Sequence, residues 1–483
     1  MPSEPIRLGF IPANRAVFSS ELAADMRARI IEVLTELKID VVVPSPTETE
    51  VGCVGNITEA EFAAKMFREA DVQGIIIGAV NFGDEQAAAW AVRESRLDVP
   101  VMIFGSPENE ALTVSTKRRD SFCGLLSIGD ALRQIGTKYS VAPVPMAFPE
   151  DTAFKDGIDW FARVCHVVHH VRRARYAQIG ARPDAFWTCR FDEKQLQRLG
   201  PTTVTLDLSE VIGGAGRIDD DDPELQQTMD SIRGYADTSA LRDLSVIRSA
   251  KLELFIRRWG KENKVDAYAI QCWTSLQENY GVCSCTTMSR LGDEMMPAAC
   301  EADILGTLSM HALQLASHSP AALADWNNLH NDDDELANLW HCGVFPAAFT
   351  ADKPKLMTHP IMNEGGGVAE EECQGIVHLK AKASPVTLAR VTQEDGRWKM
   401  LIAEGNIEDN PAETIGSYGW CRIEHLQHLY RNILLKNFPH HVALTQGNHG
   451  NVLWEAFGNY LEFETYNATQ QNPGVYTPAL PFN

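Results

Sequence analysis

Three short segments of this 483-residue chain place carboxylates, amides and a histidine where they could do chemistry. The segment ACEADI carries Glu301 and Asp303 at the start of a predicted long helix, and LADWNN ends an apolar stretch with Asp325. In GNHG, His449 stands next to a glycine, where backbone can approach a ligand closely. Carboxylates and imidazoles exchange protons and bind cations. Each segment alone also has an ordinary explanation: a helix-capping carboxylate, a turn aspartate and a loop histidine.

The better-known catalytic signatures are absent from the sequence. There is no GxxxxGK[ST] phosphate loop, no GxGxxG dinucleotide fingerprint and no GxSxG nucleophile elbow. Cys283 and Cys285 form a CxC without a second cysteine pair at zinc-finger spacing, which favours buried or loop thiols over zinc. Two further clusters are expected to be solvated surface rather than metal sites: the histidines at 166, 169 and 170, and the aspartates at 219–222.

Alternating strands and helices must position these groups. Apolar runs such as Gly74–Ala79 and Val101–Gly105 alternate with helical patterns over the first 165 residues, and the alternation restarts at Arg175. Such alternation predicts parallel sheets with right-handed crossovers. Ligands of these sheets bind at the carboxyl ends of the strands. In the first sheet those ends are predicted at Pro12–Arg15, Val80–Asp84 and Gly105–Glu108.

The pattern changes after about residue 340, where short strands are split by turn residues and Glu394–Gly396 predicts a hairpin turn. The predicted fold class is therefore α/β: two Rossmann-like α/β domains with parallel sheets, followed by a β-rich, barrel-like C-terminal domain. The predicted domains are residues 1–170, 171–340 and 341–483. The glycine-rich segment Gly213–Gly216 is expected to be an exposed loop.

The three polar segments together resemble the L-fucose isomerase/L-arabinose isomerase family, specifically its L-fucose isomerase branch. Glu301 in ACEADILGTLSM, Asp325 in LADWNN and His449 in GNHG follow the family's order of a Glu, an Asp and an Asn-His-Gly at compatible spacing. Gln271 in AIQ is similar to a substrate-contacting glutamine of the family. The LIAEG run at 401–405 resembles a strand of the family's C-terminal domain.

The resemblance implies a divalent metal bound by Glu301, Asp325 and His449, with the two carboxylates also serving as the acid/base pair. Interconversion of an aldose and its ketose moves a proton between C1 and C2, and a cation stabilises the enediolate that develops. Oxygen-rich ligation with one histidine favours Mn²⁺, with Mg²⁺ or Co²⁺ as alternatives. Gln271 and Asn448 would hydrogen-bond sugar hydroxyls.

In this family the first domain of a neighbouring subunit closes the pocket. The resemblance therefore implies a homo-oligomer, a trimer or hexamer, with Arg15, Asn81 and Phe82 as the closing residues here. Arg15 would suit a sulfonated or phosphorylated sugar, although a surface arginine is an equal interpretation. The expected substrate is a fucose- or arabinose-type sugar or an anionic one.

The composition of the chain argues against some partners and cellular locations. Lysine and arginine total 43 against 65 acidic residues, a net charge of −22, which argues against nucleic acid and anionic membranes as partners. The sequence has no apolar stretch near the roughly 20 residues that span a bilayer and no secretory pattern at its start, and its 11 scattered cysteines favour reduced thiols. We expect a cytoplasmic enzyme. A metal-dependent epimerase or dehydratase and a non-catalytic sugar-binding sensor are the alternatives.

Overall fold

The computed structural model describes residues 6–467. Within this range the chain forms two compact units, described in turn: an N-terminal unit of residues 6–169 and 455–461, and a C-terminal unit of residues 170–454 and 462–467. The predicted division into three domains stays a prediction.

A five-stranded parallel sheet with flanking helices makes up the N-terminal unit. Its elements are β1 (Arg7–Ala13), α1 (Ser20–Glu36), β2 (Asp40–Val42), α2 (Ile57–Glu69), β3 (Gly74–Ala79), α3 (Glu85–Ser95), β4 (Val101–Gly105), α4 (Ser121–Gln134), β5 (Ser140–Met146) and α5 (Thr152–Val171). The strand order is β2-β1-β3-β4-β5, and every pair is parallel. The strand β3 is buried at every residue, as its unbroken apolar run predicts.

The first half of the C-terminal unit is a second α/β arrangement. Its elements are β6 (Arg175–Ile179), α6 (Glu193–Leu199), β7 (Thr202–Leu206), α7 (Leu208–Gly216), α8 (Pro223–Tyr235), α9 (Asp243–Glu262), β8 (Ala267–Ile270), α10 (Ser275–Tyr280), α11 (Cys285–Asp293), β9 (Ala298–Ala299) and α12 (Ile304–Ser317). The parallel strand order is β7-β6-β8-β9. This second parallel sheet confirms the corresponding part of the predicted fold class.

The prediction of an exposed loop at Gly213–Gly216 was wrong, because these residues form the last turn of α7. Asp207 caps the helix by accepting a hydrogen bond from the Ser209 amide. A Cβ at Gly214 would lie 2.0 Å from the Phe255 ring. The glycine therefore allows α7 to pack closely on α9, and this packing outweighs the low helix propensity of glycine.

The second half of the C-terminal unit is β-rich. Its elements are β10 (Ala321–Leu329), β11 (Leu336–His341), β12 (Lys355–Thr358), β13 (Gln374–Lys380), β14 (Ser384–Glu394), β15 (Arg397–Glu408), β16 (Ser417–Arg422), α13 (Leu426–Leu435), β17 (His441–Gln446), α14 (Gly450–Leu453) and β18 (Glu464–Tyr466). The strands order as β12-β13-β16-β11-β10-β17-β14-β15-β18, and an additional β15–β16 pairing closes six of them into a ring. The predicted barrel-like fold is confirmed.

Two local features connect sequence to this architecture. The hairpin turn predicted at Glu394–Gly396 joins β14 to β15, with Asp395 and Gly396 as its two loop residues at φ of 51° and 75°. The helix α12 is buried along its whole length and packs against β8, β14 and β17. It therefore joins the parallel sheet to the ring of strands.

Candidate metal centre and acid–base site

Glu301 lies in a short 3₁₀ turn, Cys300–Ala302, between β9 and α12. Its backbone and that of Ala302 are left-handed, with φ of 56° and 53°. For non-glycine residues this conformation costs of order 1–3 kcal/mol each and persists only where the surroundings enforce it. Asp303 then caps α12 by accepting a hydrogen bond from the Gly306 amide at 2.9 Å. The turn thus holds the Glu301 side chain, which is 4% exposed, in one place.

Strand pairing brings three further side chains to Glu301. Asp325 on β10 is directly opposite His441 on β17 and opposite Trp340 on β11. The next residue of β11 is His341. The Nε2 atom of His441 lies 3.3 Å from Glu301 Oε2 and 3.6 Å from Asp325 Oδ1, and His341 Nε2 lies 3.5 Å from Glu301 Oε2.

These side chains turn unsatisfied atoms toward one another. Glu301 Oε2, Asp325 Oδ1 and His341 Nε2 are buried and have no hydrogen-bond partner among the described residues. A buried polar atom without a partner costs about 1–3 kcal/mol. A divalent cation held between two carboxylates and imidazole nitrogens would satisfy all of these atoms. The donor set therefore fits a metal.

A buried carboxylate, that of Asp303, fixes the orientation of the His441 ring. Its Nδ1 atom lies 2.7 Å from Asp303 Oδ2, and Arg390 donates to both oxygens of Asp303. Asp303 and Arg390 are each 1% exposed. A histidine that donates Nδ1–H to a carboxylate keeps its Nε2 lone pair free for a metal, which is the usual support for metal-binding histidines.

The pKa values of Glu301 and Asp325 are shifted in opposite directions. Burial by itself raises the pKa of Glu301, but the neighbouring His341 and His441 outweigh it and hold that pKa below its usual range. Burial raises the pKa of Asp325 to about 6, and the nearby Glu301 carboxylate adds to the rise. The site therefore contains one firmly ionised carboxylate and one that exchanges its proton near neutral pH.

Aromatic rings line one side of this centre. The His440 side chain is 43% exposed, and its ring centroid lies 4.3 Å from that of His441. The Phe186 ring centroid lies 6.1 Å from that of His440 and 5.9 Å from that of Trp273. Burial lowers the pKa of His440 to about 4. This face therefore offers a neutral, largely apolar wall of the kind that packs against a sugar ring.

Glu301 and Asp325, the two carboxylates predicted from the sequence, come together in the structure, but His449 does not join them. His449 follows the far end of β17, a strand of six residues that spans about 17 Å from His441. Its ring lies over Gly447, where a Cβ would be 2.6 Å from Nε2. Among the described residues, the histidines in the candidate metal-ligating groups near Glu301 and Asp325 are at 341, 440 and 441.

The other two predicted sugar contacts in this unit have different surroundings. Gln271 accepts a hydrogen bond from the Ala181 amide at 2.9 Å and donates one to the Trp273 carbonyl at 3.0 Å. Its amide is thus used largely to hold the loop that carries Trp273. Asn448 is exposed in the loop after β17.

The three residues predicted to close a neighbour's pocket lie together in the N-terminal unit. The Arg15 guanidinium stacks over the Phe82 ring at 4.6 Å and pairs with Glu85. Asn81 is fully buried, accepts from the Arg15 amide at 3.0 Å and donates to Asn14. Asn81 therefore fixes the loop that presents the other two, and its own side chain is already occupied.

Comparison with known protein families shows which family this chain belongs to. Residues 9–172 match the model described as the fucose/sulfoquinovose isomerase N-terminal domain, and residues 339–467 match that of the L-fucose isomerase C-terminal domain. The chain belongs to the fucose/sulfoquinovose isomerase family. It is accordingly an aldose–ketose isomerase, and its substrate is a sugar.

Relatives of this isomerase match nearly end to end. A sulfoquinovose isomerase of Alkalicoccus urumqiensis is 25% identical over 448 residues, covering 91% of this chain and 94% of the relative. One from Clostridium sp. (strain MSTE9) is 23% identical, covering 85% and 88%. Among solved structures, an ABC-transporter periplasmic solute-binding protein from Actinobacillus succinogenes 130z aligns over 61% of this chain and 84% of its own length, at 10% identity and a TM-score of 0.17.

Within residues 6–467 of this isomerase, the structure contains no helix with the length and apolar character needed to cross a bilayer. Its buried histidine, cysteine and carboxylate groups could hold a metal.

The Asp303 carboxylate of this isomerase can be tested through metal affinity. In Asp303→Asn the His441 ring loses its anionic partner, so we expect metal affinity to fall about 10–100-fold. Isothermal titration with Mn²⁺ measures this change. Asp293→Asn is the matched control, because that carboxylate accepts backbone hydrogen bonds from Ala347 and Ala348 instead. Equal affinities in the two variants would show that Asp303 has no part in metal binding.

Proposed function

We propose that this isomerase is Mn²⁺-dependent, with Mg²⁺ or Co²⁺ as alternatives, and that Glu301 and Asp325 are its acid/base pair. The observation that carries the proposal is the convergence of unsatisfied buried atoms from Glu301, Asp325 and His341 around His441 Nε2. These residues come from separate segments of the chain. A shared cation explains why they point to one place.

The ligands in this proposal are Glu301, Asp325 and His441, with His341 as the fourth group facing the centre. His441 replaces the sequence-based choice of His449. When bound, the cation would act as a Lewis acid for the sugar carbonyl and stabilise the negative charge of the enediolate. Carboxylate oxygens with imidazole suit Mn²⁺, whereas a structural zinc site would prefer thiolates.

The two carboxylates move the protons. In the open-chain aldose one carboxylate takes the proton from C2, which gives a cis-enediol(ate), and returns it to C1. The other transfers a proton between the oxygens on C1 and C2. One C–H bond breaks and another forms, so no external oxidant or reductant is consumed. Beside a bound cation both carboxylates would stay ionised, so each could accept a proton near neutral pH.

The surroundings of the pair limit side reactions. Glu301 is 4% exposed and Asp325 17% exposed. His440, Phe186 and Trp273 shield one side of the centre. The exclusion of water protects the enediol from solvent and strengthens charge interactions within the site.

For the substrate, we favour a sulfonated aldose over a neutral fucose- or arabinose-type sugar. Support comes from relatives named sulfoquinovose isomerase that cover 83–91% of the chain. We also retain the proposal of a homo-oligomer, trimeric or hexameric, in which Arg15, Asn81 and Phe82 close the pocket of a neighbouring subunit, and in which Gln271 and Asn448 contact the sugar.

A substrate panel tests the proposed function. Mn²⁺-loaded enzyme is incubated with sulfoquinovose, L-fucose, L-arabinose and glucose 6-phosphate, and NMR follows ketose formation and exchange of the C2 hydrogen with D₂O. We expect ketose from the sulfonated sugar, lost on chelation and restored by Mn²⁺. Turnover that survives complete chelation would contradict the metal-dependent mechanism, and turnover of the neutral sugars alone would contradict the substrate.

A further inference from the structure

Five buried thiols form a continuous cluster beside the proposed centre. The cluster comprises Cys272 after β8, Cys283 and Cys285 at the start of α11, Cys300 before Glu301, and Cys342 after His341. All five are free and at most 5% exposed. We refer to these five residues as the thiol cluster.

The thiols interact in a series with Cys342 at its centre. Cys342 Sγ lies within 4.8 Å of Cys300 Sγ, and the Cys342 thiol also interacts with that of Cys285. Cys300 continues to Cys272, whose Sγ lies 3.5 Å from Glu301 Oε1, and Cys285 continues to Cys283. The thiol cluster therefore reaches from the core of the unit to the proposed acid/base pair.

Two imidazoles complete the surroundings of Cys342. His341 Nδ1 lies 3.2 Å from Cys342 Sγ and accepts the Cys342 amide. His359 contacts the same thiol, is 2% exposed, and its Nε2 atom is buried with no hydrogen-bond partner among the described residues. A single buried cysteine packs as a small apolar residue. Several thiols gathered with an unpartnered imidazole nitrogen instead form the soft donor set that thiophilic cations select.

We propose that Cys300, Cys342 and His341 hold a thiophilic d¹⁰ cation such as Zn²⁺ or Cu⁺, with Cys285 and His359 as additional ligands. The ligand atoms of Cys300, Cys342 and His341 lie within 4.8 Å of one another, and all three residues are buried. On binding, the thiols give up their protons and the cation replaces the Cys342 amide at His341 Nδ1.

The thiol site is distinct from the proposed Mn²⁺ centre, although the His341 ring belongs to both. His341 Nε2 faces Glu301 and its Nδ1 faces Cys342. Cys300 and Cys342 are the chain neighbours of Glu301 and His341, so the two sites lie next to each other. A cation on the thiols would fix the orientation of the His341 ring. The inference does not depend on which sugar the enzyme uses.

Cobalt spectroscopy on the full-length, reduced and metal-free protein tests the proposal. Co²⁺ bound by thiolates gives an intense sulfur-to-cobalt charge-transfer absorption, whereas carboxylate and imidazole ligands give none. We expect this absorption to saturate at one equivalent per chain, to persist in Glu301→Gln, and to disappear in the Cys300→Ser/Cys342→Ser variant. Cys421→Ser is the control, because Cys421 is also fully buried and lies outside the thiol cluster.

Zinc X-ray absorption of the wild-type protein makes the test independent of variant folding. Zn–S scattering at about 2.3 Å supports the site, and oxygen and nitrogen scattering alone overturns it. A charge-transfer absorption that is missing in the wild type, or unchanged in a folded double variant, also overturns the proposal. A failure of isomerase activity in Glu301→Gln leaves the thiol-bound cobalt in place, so the two proposals fail separately.

Discussion

Glu301→Gln is expected to lower kcat by about 10²–10⁴-fold, because the substitution removes a proton-transfer group from the reacting carbons. Glutamine has nearly the same shape as glutamate and can occupy the turn between β9 and α12. It also replaces a buried charge with a neutral group, so the melting temperature should change by only a few degrees. Steady-state kinetics at saturating Mn²⁺ with the sugar identified by the panel measures the effect.

The matched control for Glu301→Gln is Glu404→Gln. The Glu404 carboxylate lies on β15 and accepts the Gly450 amide at 2.9 Å, and it belongs to none of the candidate metal groups among the described residues. We expect its turnover to stay within about twofold of wild type, as for most substitutions outside a site. If Glu301→Gln keeps near-wild-type turnover, Glu301 is neither acid nor base.

His441→Ala is expected to weaken Mn²⁺ binding by at least about 100-fold and to abolish turnover at low metal concentration. The reason is that the variant removes a nitrogen ligand, whose loss should exceed the 10–100-fold typical of the groups that support ligands. Elemental analysis after dialysis and isothermal titration measure retention and affinity. Asp303 and Arg390 keep each other paired in the variant, so their charges remain satisfied.

The paired variant His449→Ala decides between the two histidines. Its ring lies over Gly447 beyond the far end of β17, and we expect metal content close to that of wild type. The reverse result, with metal lost from His449→Ala and kept by His441→Ala, would restore the sequence-based ligand set and contradict the proposal above.

Local patterns were enough to predict much of the fold. The strands β3 and β4 begin and end at the predicted residues, since each is a short apolar run with clear boundary signals. The hairpin turn at Glu394–Gly396 also followed from turn chemistry. The prediction of a loop at Gly213–Gly216 was wrong because the helix there is stabilised by packing against Phe255, which is distant in the sequence.

The site was harder to predict, because its members meet through strand register. His441 is placed by its pairing with Asp325, 116 residues earlier in the chain (441 − 325). Asp303 and Arg390 meet across 87 residues. Nothing near His440 and His441 distinguishes them from the start of an ordinary buried strand. Glu301 and Asp325 were selected through their joint order, which resembles that of a known family, and not by either local sequence.

The centre draws its groups from both halves of the C-terminal unit. Glu301 follows the parallel sheet, whereas Asp325, His341 and His441 belong to the closed ring of strands. A fragment that begins at β10 would keep Asp325, His341 and His441 and would lack Glu301. The fragment that ends before β10 would hold Glu301 alone. In the proposed mechanism neither half therefore holds the complete set of groups, which is assembled only where the parallel sheet and the ring of strands meet.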